Sequence, residues 1–278
     1  MNTSRGLNTF LIYVSLPAIT LRYLPELELS PALLLPAGMA WIVFLFSWSL
    51  FSLIGTWQKW PISTIVCLTM VAGLGNTSFV GFPLISSFYG EEGLKLAVIC
   101  DQPGSFLVVT TLGLLLIGYA ETGSWQATGI IKRLMGFPPF LAFLITIPMM
   151  IFRISFPESV NGMLEAIGQT LTPVAMVSIG LQLQNPFRGS SQWKQLGLGL
   201  FSKLIIAPAL VSFLYLTVLN QQGLMVEVSV LEAAMPPMVT PAILVMERNL
   251  NPSLASLLIA VGIPIGIGTV FLWKMLLF

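Results

Sequence analysis

The chain has 278 residues, 56% of them hydrophobic and 8% charged, with a net charge of +1 and a mean hydropathy of +0.91. A soluble globule carries about a quarter charged residues, so this composition excludes an ordinary soluble domain, and the near-zero net charge points away from a nucleic-acid partner. Cys67 and Cys100 both lie in apolar runs and there is no histidine; a structural disulfide, a metal site, a haem ligand and a histidine proton relay are therefore not expected.

Continuous apolar runs of roughly 20 residues predict membrane-spanning helices rather than the alternating strands of an outer-membrane barrel. Nine such segments follow along the chain, at 7–21, 31–54, 62–89, 92–119, 137–153, 162–183, 195–219, 225–246 and 253–277. The first reads as a span and not as a signal peptide, because no small-x-small cleavage pattern follows it. Short connections with turn and charge signals separate the segments, at Thr56–Pro61, Gly90–Gly93 and Asn185–Gly189. The longest connection, 121–136, contains Ile130-Ile131-Lys132-Arg133-Leu134, a stretch suited to lying in the interface.

Two of the segments are interrupted, the third by Gly75-Asn76-Thr77-Ser78-Phe79-Val80-Gly81-Phe82-Pro83 and the eighth by Ala234-Met235-Pro236-Pro237-Met238-Val239-Thr240-Pro241. Glycine and proline break the helical ladder, and irregular backbone is tolerated at membrane depth only where it is buried in protein or lines a polar cavity. The paired breaks therefore mark a candidate substrate site. Leu16-Pro17-Ala18 matches Thr172-Pro173-Val174 and Pro83 matches Pro237, at offsets of 156 and 154 residues. A repeat at that offset divides the chain into a first unit at 1–120, a connection at 121–136 and a second, inverted unit at 137–278. The fifth segment then has its partner ahead of Met1, so the plan is five plus five helices with the first absent here. Basic residues sort to Arg5, Lys59, Lys132, Arg133, Arg188, Lys194 and Arg248 on one side, and to Arg22, Lys95, Arg153 and Lys274 on the other. The richer side is expected to be cytoplasmic, which puts the start of the chain inside and its end outside the cell membrane.

A half-helix N-terminus carries unpaired N–H groups and about half a positive charge, so it suits a carboxylate. Gly75, Asn76, Thr77, Ser78 and Pro83 at the first break, with Pro236, Pro237 and Thr240 at the second, are the candidate binding residues. The plainer reading is that these residues only kink packed helices, with Asn76 capping one. Asp101, followed by Gln102, falls near the middle of its segment, where a charge costs about 2.5–3.5 kcal/mol on insertion scales and calls for a partner. It reads either as the carrier of a coupling proton or cation, or as half of an ion pair with Lys203; Lys203 is also close enough to the membrane surface to snorkel. Glu232, one turn before Pro236, reads either as part of the site or as an interfacial residue. Gln169, Thr170, Thr172, Ser178 and Gln182 form a polar face that lines a pathway or glues helices together. Trp41, Trp48, Trp57, Trp60, Trp125, Trp193 and Trp273 read as interface anchors.

Leu7-Asn8-Thr9-Phe10-Leu11-Ile12-Tyr13-Val14-Ser15-Leu16-Pro17-Ala18, Gly75–Leu84 with Tyr89-Gly90-Glu91-Glu92, and Ala233-Ala234-Met235-Pro236-Pro237 together resemble the auxin efflux carrier family. That family includes bacterial carriers of malate and malonate type and the plant PIN auxin exporters. The resemblance runs over essentially the whole chain. It implies an all-α membrane protein of ten helices in two inverted repeats, with a scaffold domain, a transport domain and broken helices crossing near their prolines. The sequence departs from the family in lacking its first helix, leaving nine spans. By resemblance, Asn76 and the backbone around Pro83, Pro236 and Pro237 contribute to the substrate site, and the scaffold supports a homodimer. The expected activity is secondary active transport of a small organic anion by alternating access, coupled to protons or uncoupled, with sodium disfavoured because only related bile-acid carriers use it. No cofactor is expected. A passive anion channel and an incomplete, non-transporting carrier are the alternatives. An intramembrane enzyme lacks support, since there is no serine–histidine pair, no paired aspartates in adjacent spans and no metal-ligand cluster.

Overall fold

In the computed structural model, residues 2–125, 135–182 and 192–277 are described. Apart from one bridge, they form helices and turns. Five helical stretches among them are long and apolar enough to cross a membrane: Gly6–Glu26, Pro31–Trp57, Thr77–Thr122, Trp193–Val218 and Pro252–Leu277. Gly90, at φ 62° and ψ −149°, divides the third of these into two helices. In chain order the helices are α1 (Gly6–Glu26), α2 (Pro31–Trp57), α3 (Ile62–Ala72), α4 (77–89), α5 (91–122), α6 (Pro138–Phe152), α7 (Glu158–Gln169), α8 (Leu171–Gln182), α9 (Trp193–Val218), α10 (Leu224–Ala234), α11 (Val239–Glu247) and α12 (Pro252–Leu277). Most of the apolar segments read from the sequence overlap these helices, the sixth (162–183) being divided between α7 and α8, and the two interruptions fall between α3 and α4 and between α10 and α11. The connection at Asn185–Gly189 and the stretch 130–134 lie outside the described residues. So do Lys132, Arg133 and Arg188 and the side chain of Gln182.

Two groups of helices pack together. In one, α1 lies against α6, α7 and α8; in the other, α2, α3, α5, α9, α10, α11 and α12 surround the interruptions. Ser15 Oγ and Thr170 Oγ1 are 2.8 Å apart, and Ser178 donates to Asn8 at 2.5 Å, so these members of the polar face join α7 and α8 to α1. Gln169 and Thr172 are exposed. The groups meet where α8 touches the first turn of α4 and where Phe106 stacks on Phe137 at 3.7 Å. They meet again where Lys95 of α5 reaches Glu26 at 2.9 Å, within a set of charges that includes Arg22, Glu92 and Glu165.

The prolines act less by stopping helices than by widening the turn around them. Widened turns occupy Leu11–Ser15, Thr77–Gly81, Cys100–Phe106 and Ser202–Ile206, and two more, Val109–Gly113 and Phe213–Val218, have no proline in or just after them. Pro17, Pro83 and Pro208 follow three of the first four, and Pro103 lies inside the remaining one. A proline brings no N–H to the carbonyl four residues back and its ring crowds that carbonyl, so the turn opens. Indole donors reach carbonyls at two of these turns. Leu204 O, four residues before Pro208, accepts from Trp273 Nε1 at 2.8 Å, and Pro103 O accepts from Trp41 Nε1 at 2.9 Å. These two half-buried tryptophans therefore act as internal hydrogen-bond donors. Trp57, Trp125 and Trp193 are exposed.

The crossing admits α12 only through glycine. A Cβ built on Gly266 would lie 2.6 Å from Pro236 Cβ, and one on Gly262 would lie 2.8 Å from the Pro237 ring, whereas Gly268 has nothing within 4 Å. Gly266→Ala should cost about 1–3 kcal/mol by overpacking against backbone-fixed proline. Gly268→Ala, on the same helix, should leave stability unchanged or slightly improved. Chaotrope or thermal unfolding of the purified variants checks the pair.

Candidate functional site

The two interruptions cross and hydrogen-bond to each other. Asn76 N donates to Pro236 O at 2.8 Å and Met238 N donates to Leu74 O at 3.1 Å, so that Gly75 and Pro237 face one another like residues of two antiparallel strands. Helix ends leave backbone groups without intrahelical partners. Here the loose ends of one broken helix satisfy those of the other in a region from which water and lipid are both excluded. Gly75 is required at the contact: a Cβ there would lie 2.9 Å from Glu232 O and 3.1 Å from Lys203 Nζ.

Of the predicted binding residues, Gly75, Asn76, Pro236 and Pro237 come together at the crossing. Thr77 and Ser78 begin α4 beside it. Thr240 is half-buried in the first turn of α11. Pro83 is buried inside α4, seven residues beyond Asn76, and does not take part. The resemblance led to a crossing near the prolines: Pro236 and Pro237 stand at it, and on the other chain segment the close approach falls at Gly75, where a residue without a Cβ is needed.

Asn76 caps α4, its Oδ1 accepting from Phe79 N at 3.2 Å, while Gly81 N bonds to Asn76 O at 2.9 Å. The capping role proposed as the plainer reading is present. It engages only one end of the amide, since Asn76 Nδ2 is buried and makes no hydrogen bond with any described residue. Asp101, 3% exposed, accepts from Thr77 Oγ1 at 2.6 Å and from Gln102 Nε2 at 2.8 Å. It therefore belongs to α4 through Thr77 and does not pair with Lys203.

Lys203 is 1% exposed and its ammonium donates to Ala233 O at 2.7 Å. The snorkelling expectation is corrected: α9 turns this side chain inward, to the end of α10, where backbone carbonyls carry the negative end of the helix dipole. Glu232 is fully buried, so it is not an interfacial residue. Its carboxylate presses on Gly81, where a Cβ would lie 2.5 Å from Oε2, and neither oxygen has a hydrogen-bond partner among the described residues. The charges acting on it are those of Asp101 and Lys203. The site therefore holds two buried carboxylates and one buried ammonium around two helix N-termini and two helix C-termini. Sequence reasoning did not foresee the contact of Lys203 with Ala233 O. The only signal for it was a lysine unusually deep in an apolar run.

A buried polar crossing inside an otherwise apolar helical bundle is the mark of a membrane protein that handles a polar solute away from lipid. The model of a family described as membrane transport protein matches residues 2–274, and the chain belongs to that family. The auxin-efflux-carrier resemblance read from the sequence is thereby borne out. An uncharacterized transporter of Methanothermobacter thermautotrophicus is 30% identical over 270 residues, covering 96% of this chain and 84% of the relative. An uncharacterized transporter of Methanocaldococcus jannaschii is 29% identical over 182 residues, covering 61% of this chain and 54% of the relative.

Thr77→Val removes the hydroxyl that donates to Asp101 Oδ1, a buried carboxylate oxygen. It should destabilise the protein by about 1–3 kcal/mol, and Thr77→Ser should recover most of the loss. Unfolding of the two variants side by side measures this.

Proposed function

We propose that this membrane transport protein is a secondary carrier that moves a small organic anion, such as a carboxylate, through the crossing by alternating access. The observation that carries the reading is Asn76: its amide N–H₂ is buried without a hydrogen-bond partner among the described residues, at the N-terminus of α4, where the helix dipole favours a negative group. The N-terminus of α11, with Thr240 in its first turn, offers a second set of donors from the opposite side. Asp101 and Glu232 give the site a reason to couple. Their field opposes an entering anion unless a proton accompanies it, so anion and proton bind together and leave together. Sodium coupling is disfavoured by the family resemblance.

The same resemblance supports two inverted units of helices. It also supports a scaffold that pairs into a homodimer. In this reading α1, α6, α7 and α8 form the scaffold and the helices around the crossing form the moving part. Basic residues place the start of the chain on the cytoplasmic side of the cell membrane.

Uptake of labelled malate and malonate into proteoliposomes under an imposed pH gradient tests the proposal. Saturable uptake with counterflow is expected, and it should fall at least about tenfold in Asn76→Ala, the equivalent of about 1.4 kcal/mol of lost binding. Uptake that neither saturates nor shows counterflow would make the protein a channel. Absence of carboxylate uptake, or uptake indifferent to Asn76→Ala, would remove the anion site from the first break.

A further inference from the structure

Lys203 is the feature that the transport reading does not use. Its side chain leaves α9 at the widened turn Ser202–Ile206 and ends between the two interruptions. There its ammonium contacts Ala233 O at 2.7 Å, next to the carbonyl end of α10, and lies 3.1 Å from where a Cβ of Gly75 would stand. Glu232, the preceding residue, supplies a wholly buried carboxylate whose oxygens have no hydrogen-bond partner among the described residues. Lys203 is the cation whose charge acts on it.

A backbone carbonyl at the end of a broken helix, with a carboxylate in the same dry interior, offers the oxygen ligands that a hard monovalent cation takes. An ammonium on a four-carbon stem is a compact point charge that can stand in the same place. We propose that Lys203 is the resident cation of the crossing, holding by a covalent tether the position that a sodium-like ion would otherwise occupy. The carrier then needs no alkali cation, and removing the ammonium opens a site for one. This inference rests on the transport reading for its importance to the cycle, but not for its test.

The test is the thermal stability of the purified protein in sodium, lithium, potassium and choline chloride at equal ionic strength. The native protein should melt at the same temperature in all four. Lys203→Ala should melt several degrees lower in choline and regain much of that loss, saturably, in sodium or lithium. Adding Glu232→Gln to Lys203→Ala should abolish the response to sodium while relieving the uncompensated charge. Lys203→Gln, which keeps most of the side-chain volume, carries the same comparison. Three results would overturn the proposal: sodium-specific stabilisation of the native protein, variants equally stable in sodium and choline, or variants that fail to fold even when purified in sodium. Because none of these readouts involves a substrate, a sodium response in Lys203→Ala without any carboxylate uptake would sink the anion reading alone. Carboxylate uptake that stays sodium-indifferent in Lys203→Ala would sink this inference alone.

Discussion

Two backbone hydrogen bonds, Asn76 N to Pro236 O and Met238 N to Leu74 O, make the rest of this architecture affordable. An open peptide group in a nonpolar interior costs several kcal/mol, and two interrupted helices expose several such groups. Pairing the interruptions with each other converts two liabilities into one small piece of sheet. The pairing requires Gly75 to have no side chain and requires α12 to pass the prolines on Gly262 and Gly266. Once the interruptions are held in this way, helix ends of both signs point at one place. A carboxamide, two carboxylates and an ammonium can then be buried around them.

The same accounting bears on the prolines along the intact helices. Four of them lie in or just past a widened turn, while Pro148 and Pro264 sit within regular helix. At two of these turns an indole donates to a carbonyl: Trp273, on a helix far away in the chain, to Leu204 O, and Trp41 to Pro103 O. The widened turns also redirect the side chains within them. Thr77, Asp101 and Lys203 all sit in such turns and all face the crossing. Side-chain direction at the site is thus set in part by prolines that never touch it.

The helices and the position of both interruptions were legible in the sequence, because apolar length and Gly/Pro punctuation act locally. Asp101 was legible as buried, since an ionisable group so deep in an apolar run has nowhere else to go. The register of the crossing was not. Pro83 and Pro237 matched by spacing, but a proline's effect is spent on the turn before it, and the close approach was decided by Gly75. The partner of Lys203 was equally hidden. A lysine in the eleventh position of α9 can reach the surface or the interior depending on a widened turn that spacing alone does not reveal. The choice between Asp101 and Ala233 O as its acceptor depends on how α5, α9 and α10 stack, which is a matter of three-dimensional angle and not of residue type.

The indole of Trp273 shows how poorly hydropathy measures interchangeability in such a protein. Phenylalanine would cover nearly the same apolar area and would look harmless on any scale of lipid preference. It would nevertheless take the indole donor away from the Leu204 carbonyl, on the turn that carries Lys203 into the crossing. A residue near the end of the last helix therefore has a say in the position of a charge at the centre of the molecule. Exchanges that preserve greasiness at Trp41 and Trp273 are not conservative ones.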